Sequence, residues 1–156
     1  MARRPTTASS LDETSRAIVE QLQQDGRRAY ATIGKAIGLS EAAVRQRVQK
    51  LVDGGVMQIV AVTDPMQLGF ARQAMIAIST TGDTEAIAEK LAQIDEVDYV
   101  VVTAGSYDIL VEAVVEDDAH LLQLSNQKIR AIDGVIKTES FLYLKLVKQT
   151  YNGGVR

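Results

Sequence analysis

The fold of this chain is decided by residues 29–51, which read AYATIGKAIGLSEAAVRQRVQKL. Apolar residues recur at helical spacing on both sides of the triplet Gly38-Leu39-Ser40. A glycine suits the left-handed end of one helix, and a serine suits the N-cap of the next. The stretch therefore predicts two short helices joined by a tight turn, the helix-turn-helix arrangement that inserts its second helix into the DNA major groove.

The second of these helices carries polar side chains of the kinds that read bases. We expect four of them to face DNA: Arg45, Gln46, Gln49 and Lys50. Arg pairs with guanine, Gln with adenine, and Lys with guanine or phosphate. Glu41 and Ala42, at the start of the helix, are also placed to approach bases. The alternative is a solvated helix face, which is the usual meaning of such a run.

The other basic residues of this region allow two interpretations each. Arg47 flanks the predicted inward stripe, so it suits a phosphate or an intramolecular acid as well as a base. Arg27, Arg28 and Lys35 suit phosphate contacts that position a protein on DNA without reading sequence. An ordinary surface role fits these three residues equally well.

The charge of the chain is divided unevenly along its length. The whole chain has a net charge of −3 and a pI near 5.2, which alone would argue against DNA binding. Residues 1–63 nevertheless hold 9 Lys and Arg against 6 Asp and Glu, whereas residues 64–156 hold 8 against 14. A basic first third and an acidic remainder suit a nucleic-acid module joined to a domain that avoids phosphate.

The composition argues against several classes of protein. There is no Cys, so a disulfide framework, a thiolate zinc site and a cysteine nucleophile are excluded. The single histidine, His120, lies beside Asp117 and Asp118, where a surface or capping role is expected. Without a nucleophile–base set or a metal-ligand cluster, we expect no enzyme, no metal and no cofactor. Since no apolar run reaches membrane length and no signal peptide is recognisable, we expect a cytoplasmic protein without a membrane partner.

Breaks in the pattern divide the chain into five parts. We predict a flexible arm at 1–10, with Ser10 as the N-cap of the first helix, and a winged helix-turn-helix domain at 11–63. The wing is a β-like run from Val56 to Val62. A hinge at 64–71, a second domain at 72–148 and a tail at 149–156 complete the chain.

The second domain alternates between strand and helix patterns. Strands are predicted at 73–79, 97–103, 109–115 and 135–148, and helices at 84–94 and 117–132. The two middle strands are joined by a hairpin-like connection at 104–108. The order β-α-β-β-α-β predicts a ferredoxin-like domain, an antiparallel sheet with both helices on one face, so the fold class is α+β.

Several motifs together resemble the Lrp/AsnC (feast/famine) family of bacterial and archaeal transcriptional regulators. They cover most of the chain, from Leu11 to Lys148, and comprise Leu11-Asp12, Asp25-Gly26-Arg27, Ile37-Gly38-Leu39-Ser40, Val44-x-x-Arg47-Val48-x-x-Leu51, Asp64-Pro65-x-x-Leu68-Gly69 and Thr103-Ala104-Gly105-Ser106-Tyr107-Asp108. One departure is Gly34 in the second helix, where a glycine costs about 1 kcal/mol of helix propensity. Others are Ala104 before Gly105 and Thr138-Glu139-Ser140 where the family often has two threonines.

The resemblance implies that the second domain dimerises and binds an amino acid or a related small molecule. It also implies that the homodimers can assemble into tetramers or octamers. It makes Gly105, Tyr107 and Asp108 the main candidates for effector contact, with Thr103, Thr138 and Ser140 as weaker ones. Gly105 would let backbone amides approach a carboxylate, and Asp108 would hold an ammonium group. The structural alternative is a tight hairpin in which Gly105 has a positive φ and Asp108 caps the turn.

The sequence thus predicts a sequence-specific, DNA-binding transcriptional regulator whose assembly and DNA affinity respond to an amino acid or related metabolite. One alternative is an architectural protein that binds double-stranded DNA and ignores small molecules. A second is an amino-acid-binding regulatory subunit of a metabolic enzyme, which rests on fold analogy alone.

Overall fold

The computed structural model of the chain describes residues 11–149. Contacts divide them into two compact units, residues 11–61 with 148 and 149, and residues 62–147. The predicted arm, Ser10 and all but the first residue of the predicted tail lie outside the described residues. The remaining domain boundaries given above stay predictions.

The first unit is built from three helices. They are α1 (Glu13–Gln24), α2 (Tyr30–Ile37) and α3 (Glu41–Asp53). Their inward stripes meet in a core of five buried side chains: Ile18, Leu22, Ile33, Val44 and Val48. The predicted helix-turn-helix is therefore confirmed as α2 and α3, with α1 packed against both.

The helix ends follow from local chemistry. Gly38 ends α2 with φ 74°, in the left-handed region, as predicted. The Ser40 hydroxyl accepts a hydrogen bond from the Ala43 backbone N–H at 3.2 Å, which confirms the predicted N-cap of α3. For α1 the predicted N-cap, Ser10, is wrong: the helix begins at Glu13, and its N-cap is Asp12, whose carboxylate accepts from the Ser15 backbone N–H at 2.7 Å.

Gly34 has a packing reason that the sequence did not reveal. It is buried in α2, and a Cβ built on it would lie 2.5 Å from the backbone oxygen of Leu39. The turn before α3 thus passes directly over this glycine, and the Leu39 N–H donates to the Gly34 carbonyl at 2.9 Å. The helix propensity lost at Gly34 is the cost of this close approach.

The predicted wing strand at 56–62 is wrong. This segment pairs with no strand in the described part of the chain. Val60 and Val62 are 67% and 57% exposed. A β-like pattern forms a strand only where a neighbouring strand completes its hydrogen bonds, and within residues 11–149 this segment has no such neighbour.

The second unit contains a four-stranded antiparallel sheet. Its elements, after a short 3₁₀ helix at Pro65–Leu68, are β1 (Arg72–Thr80), α4 (Thr84–Leu91), β2 (Val97–Val102), β3 (Ile109–Val115), α5 (Asp118–Gln123) with a π-helical continuation at Leu124–Ile129, and β4 (Val135–Leu142). The strands lie in the order β2-β3-β1-β4. This order confirms the predicted ferredoxin-like domain.

One face of the sheet holds the core. Buried side chains of β1 and β3, such as Ile76 and Val111, pack there against Leu91 of α4 and Ile129 of the π-helical turn. Both helical segments therefore cover the same face, as predicted. The opposite face has no helix on it in this unit.

Some predicted elements extend too far. The strand predicted at 135–148 ends at Leu142, because Leu142 is the last residue that pairs with β1. Beyond it Leu144 is 92% exposed although it continues the alternation. The helix predicted at 84–94 ends at Leu91, and the one predicted at 117–132 is helical from Asp118 to Ile129.

Candidate functional site

Helix α3 presents one apolar and one polar face. Val44, Val48 and Leu51 are buried. The exposed face carries six of the predicted DNA-contact residues: Glu41, Ala42, Arg45, Gln46, Gln49 and Lys50. The structure thus brings the main predicted set together on one side of one helix.

Three of the six exposed side chains, Arg45, Glu41 and Gln49, make polar contacts within the unit. Arg45 Nη2 lies 2.7 Å from Glu41 Oε1, and its guanidinium carbon lies 5.3 Å from the centre of the Tyr30 ring. Gln49 Nε2 donates to Asp53 Oδ1 at 2.7 Å. Contacts of this kind at an exposed surface contribute about 1 kcal/mol or less, so they can be exchanged for contacts with another molecule.

Gln46 and Lys50 are the unengaged members of the face. They lie four residues apart, so their side chains are neighbours on α3. Within residues 11–149 neither side chain makes a hydrogen bond or an ion pair. Their amide and ammonium groups are available to a partner without breaking an internal contact.

Arg47 makes the intramolecular contact that the sequence allowed. Its Nη1 lies 2.7 Å from Asp12 Oδ2 and 3.3 Å from Ser15 Oγ. Hydrogen bonds from Ser15 and from Arg47 lower the pKa of Asp12 to about 2. Arg47 therefore fixes the middle of α3 to the start of α1.

The remaining predicted phosphate contacts are distributed around the first unit. Arg28 is half-buried and donates to Gln21 and, at 3.3 Å, to Gln24, both on α1. Arg27 and Lys35 are exposed. Arg28 thus has a structural role between α1 and the loop before α2.

The second predicted site is the connection between β2 and β3. Thr103 closes it by donating from Oγ1 to the Tyr107 carbonyl at 2.6 Å and from its backbone N–H to the Asp108 carbonyl at 2.8 Å. Asp108 does not cap this turn. Its Oδ2 accepts from the Thr80 backbone N–H at 2.7 Å, which ties the loop to the end of β1.

Tyr107 links the loop to β4. Its hydroxyl donates to the Glu139 carboxylate, and Lys137 Nζ lies 5.5 Å from the centre of its ring. Sequence reasoning missed Glu139, Lys137 and Thr80 as neighbours of the loop. The available signal was the alternation of charged and hydroxyl residues along β4, which puts Lys137 and Glu139 on one face of the strand.

Thr138 and Ser140 lie on the other face of β4. Their cross-strand partners on β1 are Ile78 and Ile76, which point into the helix-covered core. Paired residues share a face of the sheet. The structure therefore separates these two predicted effector contacts from the Tyr107–Glu139 contact, which lies on the opposite face.

The tight-hairpin alternative predicted a positive φ at Gly105, but Gly105 does not have one. It is exposed, and a Cβ built on it would meet no other atom within 4 Å. Neither backbone conformation nor packing within the described residues therefore demands a glycine here.

His120 is more than a surface residue. Its backbone N–H is capped by Asp117 Oδ1 at 2.8 Å, as expected, but its ring Nε2 also lies 3.0 Å from Glu96 Oε1. Lys128 donates to the same oxygen. Hydrogen bonds from Lys128 and His120 lower the pKa of Glu96 to about 2, so this carboxylate is ionised at neutral pH.

Within residues 11–149, no group of three or more His, Asp or Glu side chains is arranged to hold a metal ion. Among the helices of that range, none is long and apolar enough to cross a membrane.

Comparison with protein families decides the identity of these two units. The model of the AsnC-type helix-turn-helix domain matches residues 11–52, and that of the Lrp/AsnC ligand binding domain matches residues 73–152. The chain belongs to the Lrp/AsnC family. It is a transcriptional regulator with a helix-turn-helix and a ligand-binding domain, which confirms the predicted function at this level.

Individual Lrp/AsnC relatives are similar over nearly their whole length. The transcriptional regulator FL11 of Pyrococcus abyssi is 33% identical over 143 residues, covering 90% of this chain and 94% of its own. The leucine response regulatory protein LrpA of Mycobacterium tuberculosis is 29% identical, with a TM-score of 0.81 over 89% of this chain and 96% of its own. A regulator from Neisseria meningitidis, solved as an L-Met complex, is 26% identical, with a TM-score of 0.78 over 90% and 94%.

Proposed function

We propose that this chain recognises specific DNA sequences through α3, and that an amino acid or related metabolite bound at the 103–108 loop changes its assembly and DNA affinity. The main support for DNA recognition is the polar face of α3. Gln46 and Lys50 are exposed there and make no side-chain hydrogen bond or ion pair within the described residues. The helix is held from behind by Arg47 and by the close approach at Gly34. A rigid helix with free polar ends is what base reading requires.

The proposed DNA contacts differ in what they contribute. Gln46 has the donor and acceptor pair that matches adenine, so it would read a base. Lys50 would contact guanine or a phosphate, and Arg45 and Gln49 would join after releasing Glu41 and Asp53. Glu41 and Ala42 would approach bases from the N-terminal end. Arg27, Arg28 and Arg47 would position the unit against phosphates or support α3.

The DNA proposal is tested on an operator selected from a random-sequence library. We expect Gln46→Ala to lose on the order of 1–3 kcal/mol of binding free energy at one base position and to relax selectivity there. If Lys50 contacts phosphate, Lys50→Ala weakens all sequences alike and reduces the salt slope by about 1. Lys90→Ala, an exposed lysine of α4, is the control and should leave DNA affinity unchanged.

Two outcomes would contradict this assignment. Wild-type binding in which all sequences have the same affinity, with a steep salt dependence, would identify an architectural protein instead. Unchanged affinity in both α3 variants would remove α3 from the interface.

The effector proposal rests on Gly105 and its neighbours. Neither the backbone conformation nor the packing requires a glycine at position 105. We therefore attribute this glycine to the close approach of a ligand. Asp108 and Glu139 supply carboxylates for an ammonium group, although each already accepts a hydrogen bond. Thr103 and Tyr107 shape the loop, whereas Thr138 and Ser140 face the other side of β4 and are not part of the proposed site. No further cofactor is proposed.

The effector test uses the 20 amino acids in a thermal-shift screen. A ligand that binds the native state raises the unfolding temperature with its concentration. We expect Gly105→Ala to leave the unliganded unfolding temperature within about 2 °C of wild type and to abolish the ligand-dependent shift. Tyr30→Phe, in the first unit, is the control and should keep the full shift. An unchanged shift in Gly105→Ala would place the ligand elsewhere.

We further propose a homodimer that uses the uncovered face of the sheet. Register places six apolar side chains of valine size or larger on it, beside the charged Glu112 and Glu139: Met75, Tyr99, Val101, Leu110, Val114 and Phe141. Tyr99 and Phe141 are 51% and 48% exposed. An apolar face of this kind suits a second copy of the chain. Light scattering should find a dimer or its multiples, a tetramer or octamer, for wild type and the control Leu122→Asp, and a monomer for Phe141→Asp. A monomeric wild type would overturn the dimer.

We propose that the protein acts as a regulator and not as an enzyme. Relatives of this chain are named as transcriptional regulators, which supports that view. Its work on chromosomal DNA places it in the cytoplasm of a bacterial or archaeal cell.

A further inference from the structure

We infer that Glu41 makes α3 selective for a cytosine, an assignment that rests on the proposed recognition of DNA by this helix. Glu41 is the first residue of α3 and the one acid among the six exposed residues of its polar face. Since DNA phosphates repel a carboxylate, an acid on this face opposes binding unless a base donates a hydrogen bond to it. Its effect on affinity therefore differs between one DNA sequence and another.

The N-terminus of α3 does not require Glu41 as a cap. The Ser40 hydroxyl already accepts a hydrogen bond from the Ala43 backbone N–H at 3.2 Å. A carboxylate in the first turn also interacts favourably with the helix dipole, but that interaction acts on folding and not on the choice between DNA sequences. Measurements of sequence selectivity therefore separate the two roles of Glu41.

Two contacts restrain Arg45 in the free protein. Its Nη2 lies 2.7 Å from Glu41 Oε1, and its guanidinium carbon lies 5.3 Å from the centre of the Tyr30 ring. The side chains of Arg45 and Glu41 are 65% and 52% exposed, so a partner can reach both. Arg45 must therefore exchange Glu41 for DNA, whereas Lys50 binds DNA without breaking an ion pair within residues 11–149.

This exchange is unfavourable on a phosphate. Arg45 loses a carboxylate oxygen and gains a phosphate oxygen, and both are charge-assisted acceptors for a guanidinium. Glu41 is then left beside an anion without a donor. Random-sequence DNA is bound through its phosphates, so Arg45 adds little to its binding.

The exchange is favourable where the major groove supplies a donor for Glu41 and acceptors for Arg45. A carboxylate only accepts hydrogen bonds, and cytosine presents its N4 amino group there without an acceptor of its own beside it. Adenine has the acceptor N7 next to its amino group, and guanine and thymine present acceptors. The guanine opposite the cytosine offers O6 and N7 to Arg45. Because residues four apart are neighbours on one side of a helix, a single C·G pair can satisfy both side chains.

The test begins with an operator that the full-length wild-type chain selects from a random-sequence library. We expect a C·G pair in it whose cytosine is replaced by pyrimidin-2-one, which lacks the N4 amino group and leaves the guanine in place. The replacement should weaken wild-type binding about fivefold or more and Glu41→Ala binding less than about twofold. An equal loss in the two proteins, or an operator in which no cytosine amino group matters, would overturn the assignment.

A second measurement uses random-sequence DNA. Glu41→Ala releases Arg45 to the phosphates, so it should tighten this binding about threefold or more and steepen the salt slope by about 1. Glu20→Ala is the matched control, because Glu20 is an exposed glutamate of α1 without an ion pair within residues 11–149. Its salt slope should equal that of wild type. The same steepening in both variants would indicate a general charge effect and overturn the restraint of Arg45.

The restraint also predicts coupling between Glu41 and Arg45. Once Arg45→Ala has removed the guanidinium, adding Glu41→Ala should leave the salt slope unchanged, because no cation is released. A slope that still steepens in the double variant would show that Glu41 acts without Arg45, which contradicts the assignment.

The base preference of Gln46 keeps the result separate from folding and from the proposed function. Glu41→Ala should retain that preference, which a misfolded α3 would lose. If Gln46→Ala relaxes selectivity while Glu41→Ala behaves like wild type in every assay, α3 reads DNA without Glu41 and only the present assignment fails. If neither variant differs from wild type, α3 lies outside the interface and the proposed function fails with it.

Discussion

The two units of this regulator use their polar side chains in opposite ways. In the helical unit the charged groups lie on the surface and bond to one another across short distances, as Arg45 does with Glu41 and Arg47 with Asp12. In the sheet unit Glu96 is largely shielded from solvent: one of its oxygens contacts Lys128 and His120, and the other accepts no hydrogen bond from residues 11–149. The first arrangement keeps polar groups at the surface, whereas the second withdraws a charged group from solvent.

The units also differ in what limits their stability. The helical unit has a core of five buried side chains, and the sheet unit one of eleven. We therefore expect the close backbone approach at Gly34 to matter more for the first unit, and side-chain volume to matter more for the second. Four predictions test this contrast, from the largest expected effect to the smallest.

The largest effect is expected from the core of the sheet unit. Leu91 is fully buried between α4 and the sheet, so Leu91→Ala should lower the free energy of unfolding by about 2–5 kcal/mol. The control is Leu122→Ala on α5, where the side chain is 62% exposed and the change should stay within about 0.5 kcal/mol. Urea unfolding followed by hydrogen exchange of the sheet amides measures both. Equal losses in the two variants would contradict the assigned core.

Gly34→Ala tests the dependence of the helical unit on backbone approach. The added methyl group gains about 1 kcal/mol of helix propensity. It must also displace the Leu39 carbonyl, and overpacking of this kind costs about 1–3 kcal/mol. We expect a net loss of stability and weaker DNA binding. Gly26→Ala, where the nearest atom would be 3.8 Å from the new Cβ, should be neutral. A stabilised Gly34→Ala protein would show that the turn can move away freely.

Acid unfolding of the sheet unit should depend on Glu96. Its pKa is about 2 in the folded protein, below the ordinary value of 4.5, so its contribution is present above pH 4.5 and is lost as the pH falls toward 2. Glu96→Gln should cost on the order of 1 kcal/mol at pH 7 and should flatten the pH dependence in that window. Thermal unfolding between pH 7 and pH 2 measures this, and parallel curves for both proteins would contradict it.

The smallest effect is expected from Asp12 in the helical unit. Its folded pKa of about 2 lies below the ordinary 3.8, so the stabilisation is again complete above pH 3.8 and is lost toward pH 2. The pair with Arg47 is solvent-exposed, so Asp12→Asn should lower the unfolding temperature less than Glu96→Gln does. A larger acid sensitivity from Asp12 than from Glu96 would reverse the comparison of the two units.

Much of the fold could be predicted because it follows from local periodicity. Apolar spacing located all three helices of the first unit and the β-α-β-β-α-β order of the second. The same reasoning failed at 56–62 and beyond Tyr143, where β-like sequence continues but no strand among residues 11–149 pairs with it. Strand formation depends on a neighbour that local sequence does not specify.

The candidate sites were predictable to a different extent. The exposed face of α3 follows from helix periodicity, so the predicted DNA residues lie together. The effector loop was located by motif, but its neighbours Thr80 and Glu139 lie 28 and 32 residues from their loop partners along the chain. The pairing of Glu96 with Lys128 likewise joins residues 32 apart. Contacts of this range depend on the exact register of the strands and the placement of the helices, which the local sequence pattern left open.

The sequence by itself determined the helix-turn-helix, the ferredoxin-like order and the division of charge, because each depends on neighbours within a few residues. Only the tertiary structure decided which polar groups are free. It paired Arg47 with Asp12, placed Thr138 and Ser140 on the opposite face from Glu139, and left one Glu96 oxygen without a donor among residues 11–149. The physical reason is that burial and pairing of a polar group are set by whichever segment packs against it, and that segment is distant in the chain.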